Sequence, residues 1–133
     1  MIRVVLDTNV YISAFLFGGK PLQVLDLVEN RGIAMLYSQP IRSEVESVLA
    51  EKFGWPTEMI DLACSPYWKV GHAIKPRQKI RACSDPDDDR ILECAFEAKA
   101  DSIVSGDKHL LNMVSFSGIS ILRPDAFLKS LHL

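Results

Sequence analysis

The chain opens with Met1-Ile-Arg-Val-Val-Leu-Asp-Thr-Asn-Val10, in which a short apolar run ends on an acid. Residues 2–6 are rich in β-branched side chains, which is typical of a strand buried on both faces of a parallel sheet. Asp7 then stands at the carboxyl end of that strand, where ligands bind in open α/β sheets. A second interpretation is that Asp7 or Asn9 caps the helix predicted over residues 10–17. The opening therefore predicts a strand followed by a helix with Asp7 between them. Asp7 either takes part in a ligand-binding site or caps the helix.

Length and composition predict a single domain over residues 1–133 with a substantial core, since 48% of the residues are apolar. No apolar run reaches the roughly 18–20 residues of a membrane span, and no signal peptide pattern precedes the first strand. We therefore expect a cytoplasmic protein with no membrane segment. The three cysteines show no C-x-x-C pairing, which argues against a zinc site or a disulfide framework. Because the net charge is −2, a nucleic-acid partner would need a local basic patch and metal ions.

Short apolar stretches alternate with amphipathic ones along the rest of the chain. The predicted strands after the first are residues 33–38, 70–74, 102–104 and 119–122. The predicted helices after the first are residues 22–31, 41–53, 57–68, 86–98, 108–113 and 124–131. This alternation predicts a three-layer α/β sandwich with a mostly parallel sheet of four or five strands, in which residues 119–122 form an edge strand.

Glu44 is the second acid of interest because it lies on or beside an apolar stripe. It follows Ile41 by three residues and precedes Val48 by four on the same predicted helix. Burying a lone carboxylate costs several kcal/mol unless it is paired, protonated or bound to a metal. Glu44 is therefore a candidate metal ligand, with a structural salt bridge as the alternative. Arg42 and Glu46 can instead pair across one turn on the outer face.

Residues 84–98 begin with a run of acids. Asp85 precedes a proline, which predicts an N-cap and the first position of a helix. The following acids, Asp87, Asp88 and Asp89, exceed what a helix dipole favours and repel one another. The expected apolar face of this helix lies three, four and seven residues after Asp88. Asp88 is thus expected to face the sheet, with Asp89 beside it and Asp87 directed outward.

The segment Asp101-Ser-Ile-Val-Ser-Gly-Asp107 repeats the logic of the opening, because a short apolar strand ends at a glycine and an acid that begin a helix. Asp107 either joins Asp7 at the same edge of the sheet or only caps its helix.

Four separated segments thus deliver the acids Asp7, Glu44, Asp88 and Asp107. Carboxylates gathered at one place repel, which raises their pKa values, and hard divalent cations relieve the repulsion. Carboxylate and water ligands suit Mg²⁺ or Mn²⁺, and no His/Cys cluster competes for zinc. In a two-metal site, one ion activates water and the other stabilises the leaving oxygen of a phosphoryl displacement. The four acids therefore favour phosphodiester hydrolysis.

In order and spacing, the chain resembles the PIN-domain family, specifically its small single-domain toxin-like (VapC-like) subfamily. The segments that carry the resemblance are Asp7-Thr-Asn-Val10, Ser43-Glu-Val-Glu46, Asp85-Pro-Asp-Asp-Asp-Arg-Ile-Leu-Glu-Cys-Ala95, Val104-Ser-Gly-Asp-Lys-His-Leu-Leu111 and Ile119-Ser-Ile-Leu-Arg-Pro124. The resemblance implies a Mg²⁺- or Mn²⁺-dependent endoribonuclease. It also implies a homodimer and, for toxin members, a cognate antitoxin protein that blocks the site.

The same resemblance implies roles for individual residues. The metal-coordinating acids would be Asp7, Glu44, Asp88 and Asp107. Asn9 would orient Asp7, and Ser105 stands where relatives often have threonine. Asp89 stands where relatives often have asparagine, so only the helical-face argument favours Asp88 over Asp89 as the third acid.

The cations that would hold RNA are a second set of candidates. Alternate positions along one segment would direct four of them to the same side of an extended backbone, although a solvated loop explains the pattern equally well. The candidates are Lys75, Arg77, Lys79 and Arg81, joined by Arg90 and Lys108 near the acids. The competing interpretation is a catalytically inactive PIN-fold protein that binds RNA or another protein, which Mg²⁺- or Mn²⁺-dependent cleavage would distinguish.

Overall fold

Strands and helices alternate through residues 1–132, which a computed structural model describes. Leu133, the last residue of the predicted domain, lies outside the described residues. The elements are β1 (Arg3–Leu6), α1 (Thr8–Phe17), α2 (Gly19–Glu29), β2 (Ala34–Ser38), α3 (Gln39–Glu51), α4 (Thr57–Val70), β3 (His72–Ile74), α5 (Pro86–Ala98), β4 (Ser102–Val104), α6 (Lys108–Met113), β5 (Ser115–Phe116), β6 (Ile119–Leu122) and α7 (Pro124–Ser130).

The strands form one mostly parallel sheet flanked by helices, in the order β3-β2-β1-β4-β6-β5. The predicted α/β class with a mostly parallel sheet is confirmed, but the sheet of residues 1–132 has six strands, not four or five. The strand that was missed is β5, which pairs antiparallel with β6. Ser117 and Gly118 connect the two strands at φ values of 50° and 78°, as a tight hairpin turn requires. A strand of two residues is too short to show the alternation of apolar and polar residues that predicts a strand, so β5 was not predicted. The edge position was therefore wrongly assigned to β6.

The sheet register brings several strand ends to one edge. Leu6 is paired with Val104, and Val5 with Leu36, in parallel alignment. The backbone amide of Asp7 also donates to the carbonyl of Val104 at 2.9 Å. The residues that follow β1, β2 and β4 therefore lie side by side at the carboxyl edge of the sheet.

The helices after β1 and β2 begin earlier than the apolar pattern predicts. Asp7 directly follows β1 and Ser38 ends β2, and both are the extended N-cap residues of α1 and α3, so each helix starts directly at the sheet edge. The reversal between α1 and α2 is equally tight, because Gly18 and Gly19 adopt φ values of 73° and 65°. Functional groups on these helices are thereby held close to the strand ends.

The core lies on both sides of the central strands. All of Val4, Val5, Leu6, Ile103 and Val104 are inaccessible to solvent, as expected for strands covered on both faces. No helix within residues 1–132 combines the length and the apolar character needed to cross a lipid bilayer.

Candidate active site

Ser105 connects two of the predicted acids at the carboxyl edge of the sheet. Its hydroxyl donates to Asp7 Oδ2 at 2.7 Å and accepts from the backbone amide of Asp107 at 2.9 Å. Asp7 is 5% exposed, and although it stands at the N-cap position of α1, its side chain forms no capping hydrogen bond to that helix. Burial raises the pKa of Asp7, partly offset by the bond from Ser105, and the charge of Asp107 raises it further.

Asp107 is the N-cap of α6, where its Oδ1 accepts from the amide of His109 at 2.7 Å. The capping interpretation therefore holds for this acid. The cap occupies Oδ1, and the charge of Asp107 still raises the pKa of Asp7 and of Asp88. Asp107 thus serves as a helix cap and as a member of the acidic group.

Asp88 faces the other acids from the first turn of α5. Its side chain is buried, and its Oδ2 has no hydrogen-bond partner within residues 1–132. Burial raises its pKa to about 7, with further increases from the charges of Asp107 and Asp7. The side chain of Asp85 instead accepts from the amide of Asp87 at 2.9 Å, which confirms the predicted cap.

Glu44 reaches the group from α3. Burial is the largest cause that raises its pKa to about 7, and the neighbouring carboxyls of Asp87 and Asp7 raise it further. Asp87 is exposed, as predicted, and it lies near Glu44 because α3 and α5 are in contact.

Asp89 serves a different purpose from Asp88. Its Oδ1 accepts from the backbone amides of Ala82 and Cys83, at 3.0 and 2.8 Å. Glu93, one turn later, accepts from the amide of Ile80 at 2.9 Å. These two buried acids anchor the loop before α5, a role that the sequence analysis missed because loop amides leave no pattern in the sequence.

The predicted RNA-binding cations are dispersed. Arg77 pairs with Glu97 at 3.0 Å, and Arg90 pairs with Glu93 at 2.8 Å. Residues 75–81, which hold the alternating cations, are not part of a strand, so these side chains do not form the regular row on one side of an extended backbone that was predicted. Lys79, Arg81 and Arg90 nevertheless line one cavity of about 340 Å³ with Asp89. Lys75 and Lys108 are exposed and form no ion pair within residues 1–132.

Asn9 does not hold Asp7, since no hydrogen bond joins these two side chains in the part of the chain that the structure describes. Asn9 is exposed and lines a cavity of about 540 Å³ that also includes Gly106. Ser105 supplies the bond to Asp7 that was expected from Asn9.

The residues present fit a hard divalent cation. Asp88 Oδ2 has no hydrogen-bond partner within residues 1–132, and the acids around Asp88 repel it. A cation would neutralise this set of carboxylate donors. No three His, Cys, Asp or Glu side chains within residues 1–132 converge closely enough to enclose an ion by themselves. Mg²⁺ accepts such a site, because it keeps several waters and needs only one or two carboxylates.

Two comparisons with known sequences find matches over most of this chain. The family model of the PIN domain matches residues 3–109. An uncharacterized protein of Methanocaldococcus jannaschii, MJ1680, is 32% identical over 117 residues, which cover 84% of this chain and 75% of that protein.

Two crystal structures are similar in fold. The first is the structure of VapBC2 from Rickettsia felis bound to a DNA fragment from the promoter. One of its chains superposes on this chain with a TM-score of 0.64 at 12% identity, and the match covers 90% of this chain and 97% of that chain. The second is the structure of FitAcB from Neisseria gonorrhoeae, in which one chain superposes with a TM-score of 0.55 at 14% identity, and the match covers 91% of this chain and 97% of that chain.

Proposed function

Because this chain belongs to the PIN domain family, we propose that it is a Mg²⁺- or Mn²⁺-dependent endoribonuclease that hydrolyses RNA phosphodiester bonds. The observation that supports this proposal is the gathering of Asp7, Glu44, Asp88 and Asp107 at the carboxyl edge of the sheet, where burial and mutual repulsion raise the pKa of three of them. Such a group binds cations and repels a phosphate until cations are present.

Each acid contributes in its own way to this proposed activity. Asp7 would be a fixed ligand because Ser105 holds its Oδ2. Asp88 would offer the oxygen that has no other partner within residues 1–132. Glu44 would offer a carboxylate from α3, the pKa of which is raised by burial and by the neighbouring acids. A bound Mg²⁺ or Mn²⁺ supplies activation of water and neutralisation of charge on the phosphate.

The proposal is tested by incubating a panel of single-stranded and structured RNAs with the protein in Mg²⁺, Mn²⁺ or EDTA. The variants are Asp7→Asn and Asp88→Asn, with Asp61→Asn as the matched control because Asp61 is exposed on α4. We expect cleavage in Mg²⁺ or Mn²⁺ by the wild type and by Asp61→Asn only. A folded wild type that binds RNA or protein but cuts nothing in either metal would establish the non-catalytic alternative.

We further propose that the protein acts as the toxin of a toxin–antitoxin pair in the cytoplasm, with a cognate antitoxin that covers the acids. The fold shared with VapBC2 and FitAcB supports this assignment. Co-purification with the product of an adjacent gene, followed by a cleavage assay of the complex, tests it. We expect the complex to cut RNA less than the free protein.

A homodimer is proposed for the free protein. The side chains of Met59 and Leu62 lie three residues apart on α4 and are 46% and 79% exposed, which is unusual for large apolar residues. Light scattering of the wild type and of Leu62→Glu tests whether this face is the interface. A wild-type mass of one chain would reject the dimer.

A further inference from the structure

A second cavity opens beside the acids. It measures about 540 Å³, and its lining includes Asn9, Ser13, Lys20, Gly106 and Arg123. Asn9 lies two residues after Asp7 in the sequence, and Gly106 separates Ser105 from Asp107. The cavity therefore begins where the acidic group ends.

The fold brings two cations to this cavity from distant segments. Lys20 follows the Gly18–Gly19 reversal, which turns the start of α2 back against α1. Arg123 follows β6, and the amide of Ser105 donates to the carbonyl of Leu122 at 2.9 Å. Arg123 consequently stands next to Ser105 at the carboxyl edge of the sheet.

The charges of these two side chains remain available. Within residues 1–132, neither Lys20 nor Arg123 forms an ion pair with an acid. Asp125 is the acid that also lines the cavity, so two cations face one carboxylate there. A positively charged cavity beside an acidic group suits a polyanion that is bound at the acids and extends beyond them into the cavity. Its volume lies within the range of about 300–1,000 Å³ typical of ligand pockets.

Apolar groups complete the lining. Val10 is buried, and Pro21 and Pro124 are half-buried beside the two cations. Rigid apolar walls with a few polar groups accept a planar ring, whereas the cations accept a phosphate. A nucleotide contains both parts.

We propose that this cavity binds the nucleotide next to the scissile phosphate of a single-stranded RNA, with Lys20 and Arg123 contacting that nucleotide's phosphate. The proposal rests on the ribonuclease function proposed above. It specifies a single strand because an unpaired nucleotide can place its base in a cavity without the cost of breaking a base pair.

The test measures the anisotropy of a fluorescein-labelled 12-nucleotide single-stranded RNA of mixed sequence, in EDTA and in Ca²⁺. The wild type is compared with the double variant Lys20→Ala/Arg123→Ala at several salt concentrations. The matched control is Lys52→Ala/Lys69→Ala, which removes the same charge from exposed positions just after α3 and on α4. Circular dichroism establishes that every variant is folded.

We expect the cavity variant to bind about tenfold more weakly, and its plot of log affinity against log salt to lose about 0.7 in slope for each phosphate contact removed. The control should stay within twofold of the wild type. Equal losses in the two double variants would show that only general charge matters, which would overturn the cavity proposal.

A cavity-filling variant separates shape from charge. Ser13→Phe places a ring in the cavity from the middle of α1, and we expect weaker binding with an unchanged salt slope. If the wild type cuts RNA while Ser13→Phe and Lys20→Ala/Arg123→Ala bind it normally, the cavity proposal is wrong and the ribonuclease stands. If the wild type neither binds nor cuts, both are wrong. Equal affinity for a 12-base-pair duplex would contradict the single-strand specificity.

Discussion

Ser105 shows how a single hydroxyl can organise an acidic site. It donates to one acid and accepts from the amide of another, so it sets the position of Asp7 relative to the start of α6. Because the bond stabilises the ionised form, it opposes the increase in the pKa of Asp7 that burial causes.

The first prediction concerns this hydroxyl. Ser105→Ala removes the bond, which should raise the pKa of Asp7 and reduce metal-dependent cleavage by about 10–100-fold. Ser105→Thr keeps a hydroxyl and should retain most of the activity. Cleavage rates as a function of pH check both variants. A Ser105→Ala protein with the rate and pH profile of the wild type would show that the bond has no role.

Asp88 and Asp89 are adjacent in sequence and differ in their surroundings. Asp88→Ala removes a carboxylate of which one oxygen has no hydrogen-bond partner within residues 1–132. Asp89→Ala instead leaves the amides of Ala82 and Cys83 without their acceptor. We expect Asp88→Ala to abolish cleavage and Mg²⁺ binding without loss of stability. Asp89→Ala should lower the free energy of unfolding by about 1–3 kcal/mol.

Urea denaturation and calorimetric titration with Mg²⁺ measure the two effects. The opposite pattern, in which Asp89→Ala remains stable but no longer binds Mg²⁺, would make Asp89 the third ligand.

At the scale of elements, the turns between helices and strands set which side chains lie near the site. Gly18 adopts a φ of 73°, and an added Cβ there would meet Leu22 Cδ2 at 3.8 Å, an ordinary contact. The reason for glycine is therefore the backbone conformation and not lack of space.

Gly18→Ala is expected to lower the free energy of unfolding by about 1–2 kcal/mol, because a side chain is strained at positive φ. The control is Gly106→Ala, where φ is not in the positive region and an added Cβ meets no atom within 4 Å. Thermal or urea unfolding measures both. Equal stabilities of the two variants would mean that the reversal tolerates a side chain.

At the scale of the molecule, the gathered acids make stability depend on pH and metal. Asp88 and Glu44 have pKa values of about 7 in the folded protein, raised from 3.8 and 4.5. A carboxyl with a raised pKa in the folded state favours folding while it is protonated. That contribution is complete below the ordinary value and is lost as the pH rises to about 7 and beyond.

We therefore expect the metal-free protein to be more stable at pH 5 than at pH 8, and Mg²⁺ to restore stability at pH 8. Asp88→Asn should raise the melting temperature of the metal-free protein at pH 8 by roughly 3–5 °C, the shift that about 1 kcal/mol produces in a domain of this size. Calorimetry at the two pH values, in EDTA and in Mg²⁺, provides the measurement. A melting temperature that rises from pH 5 to pH 8 in EDTA would contradict the repulsion.

Several features of the fold were predictable because neighbouring residues encode them. The apolar run before Asp7 defines a buried strand, and the spacing of apolar residues after Asp88 places that acid on the inner face of α5. Arg42 and Glu46 form the expected ion pair at 3.4 Å, since a helical turn brings such positions together. The cap at Asp85 follows from its own short segment.

Other features depend on how distant segments pack. Asp87 lies near Glu44 because α3 and α5 are in contact. Arg77 was expected to face RNA and is paired with Glu97, 20 residues away. Periodicity assigns a residue to a face of its own helix, but it carries no information on which side chain of another element covers that face.

Local patterns in the chain therefore determine the helices, every strand except the two-residue β5 and the presence of acids at strand ends, because those patterns act over three to seven residues. The arrangement of the acids, the pairing of Asp89 with loop amides and the cavity that Lys20 shares with Arg123 are decided by tertiary structure alone. The physical reason is that electrostatic and hydrogen-bond energies depend on distances between groups, and packing sets those distances for residues far apart in sequence.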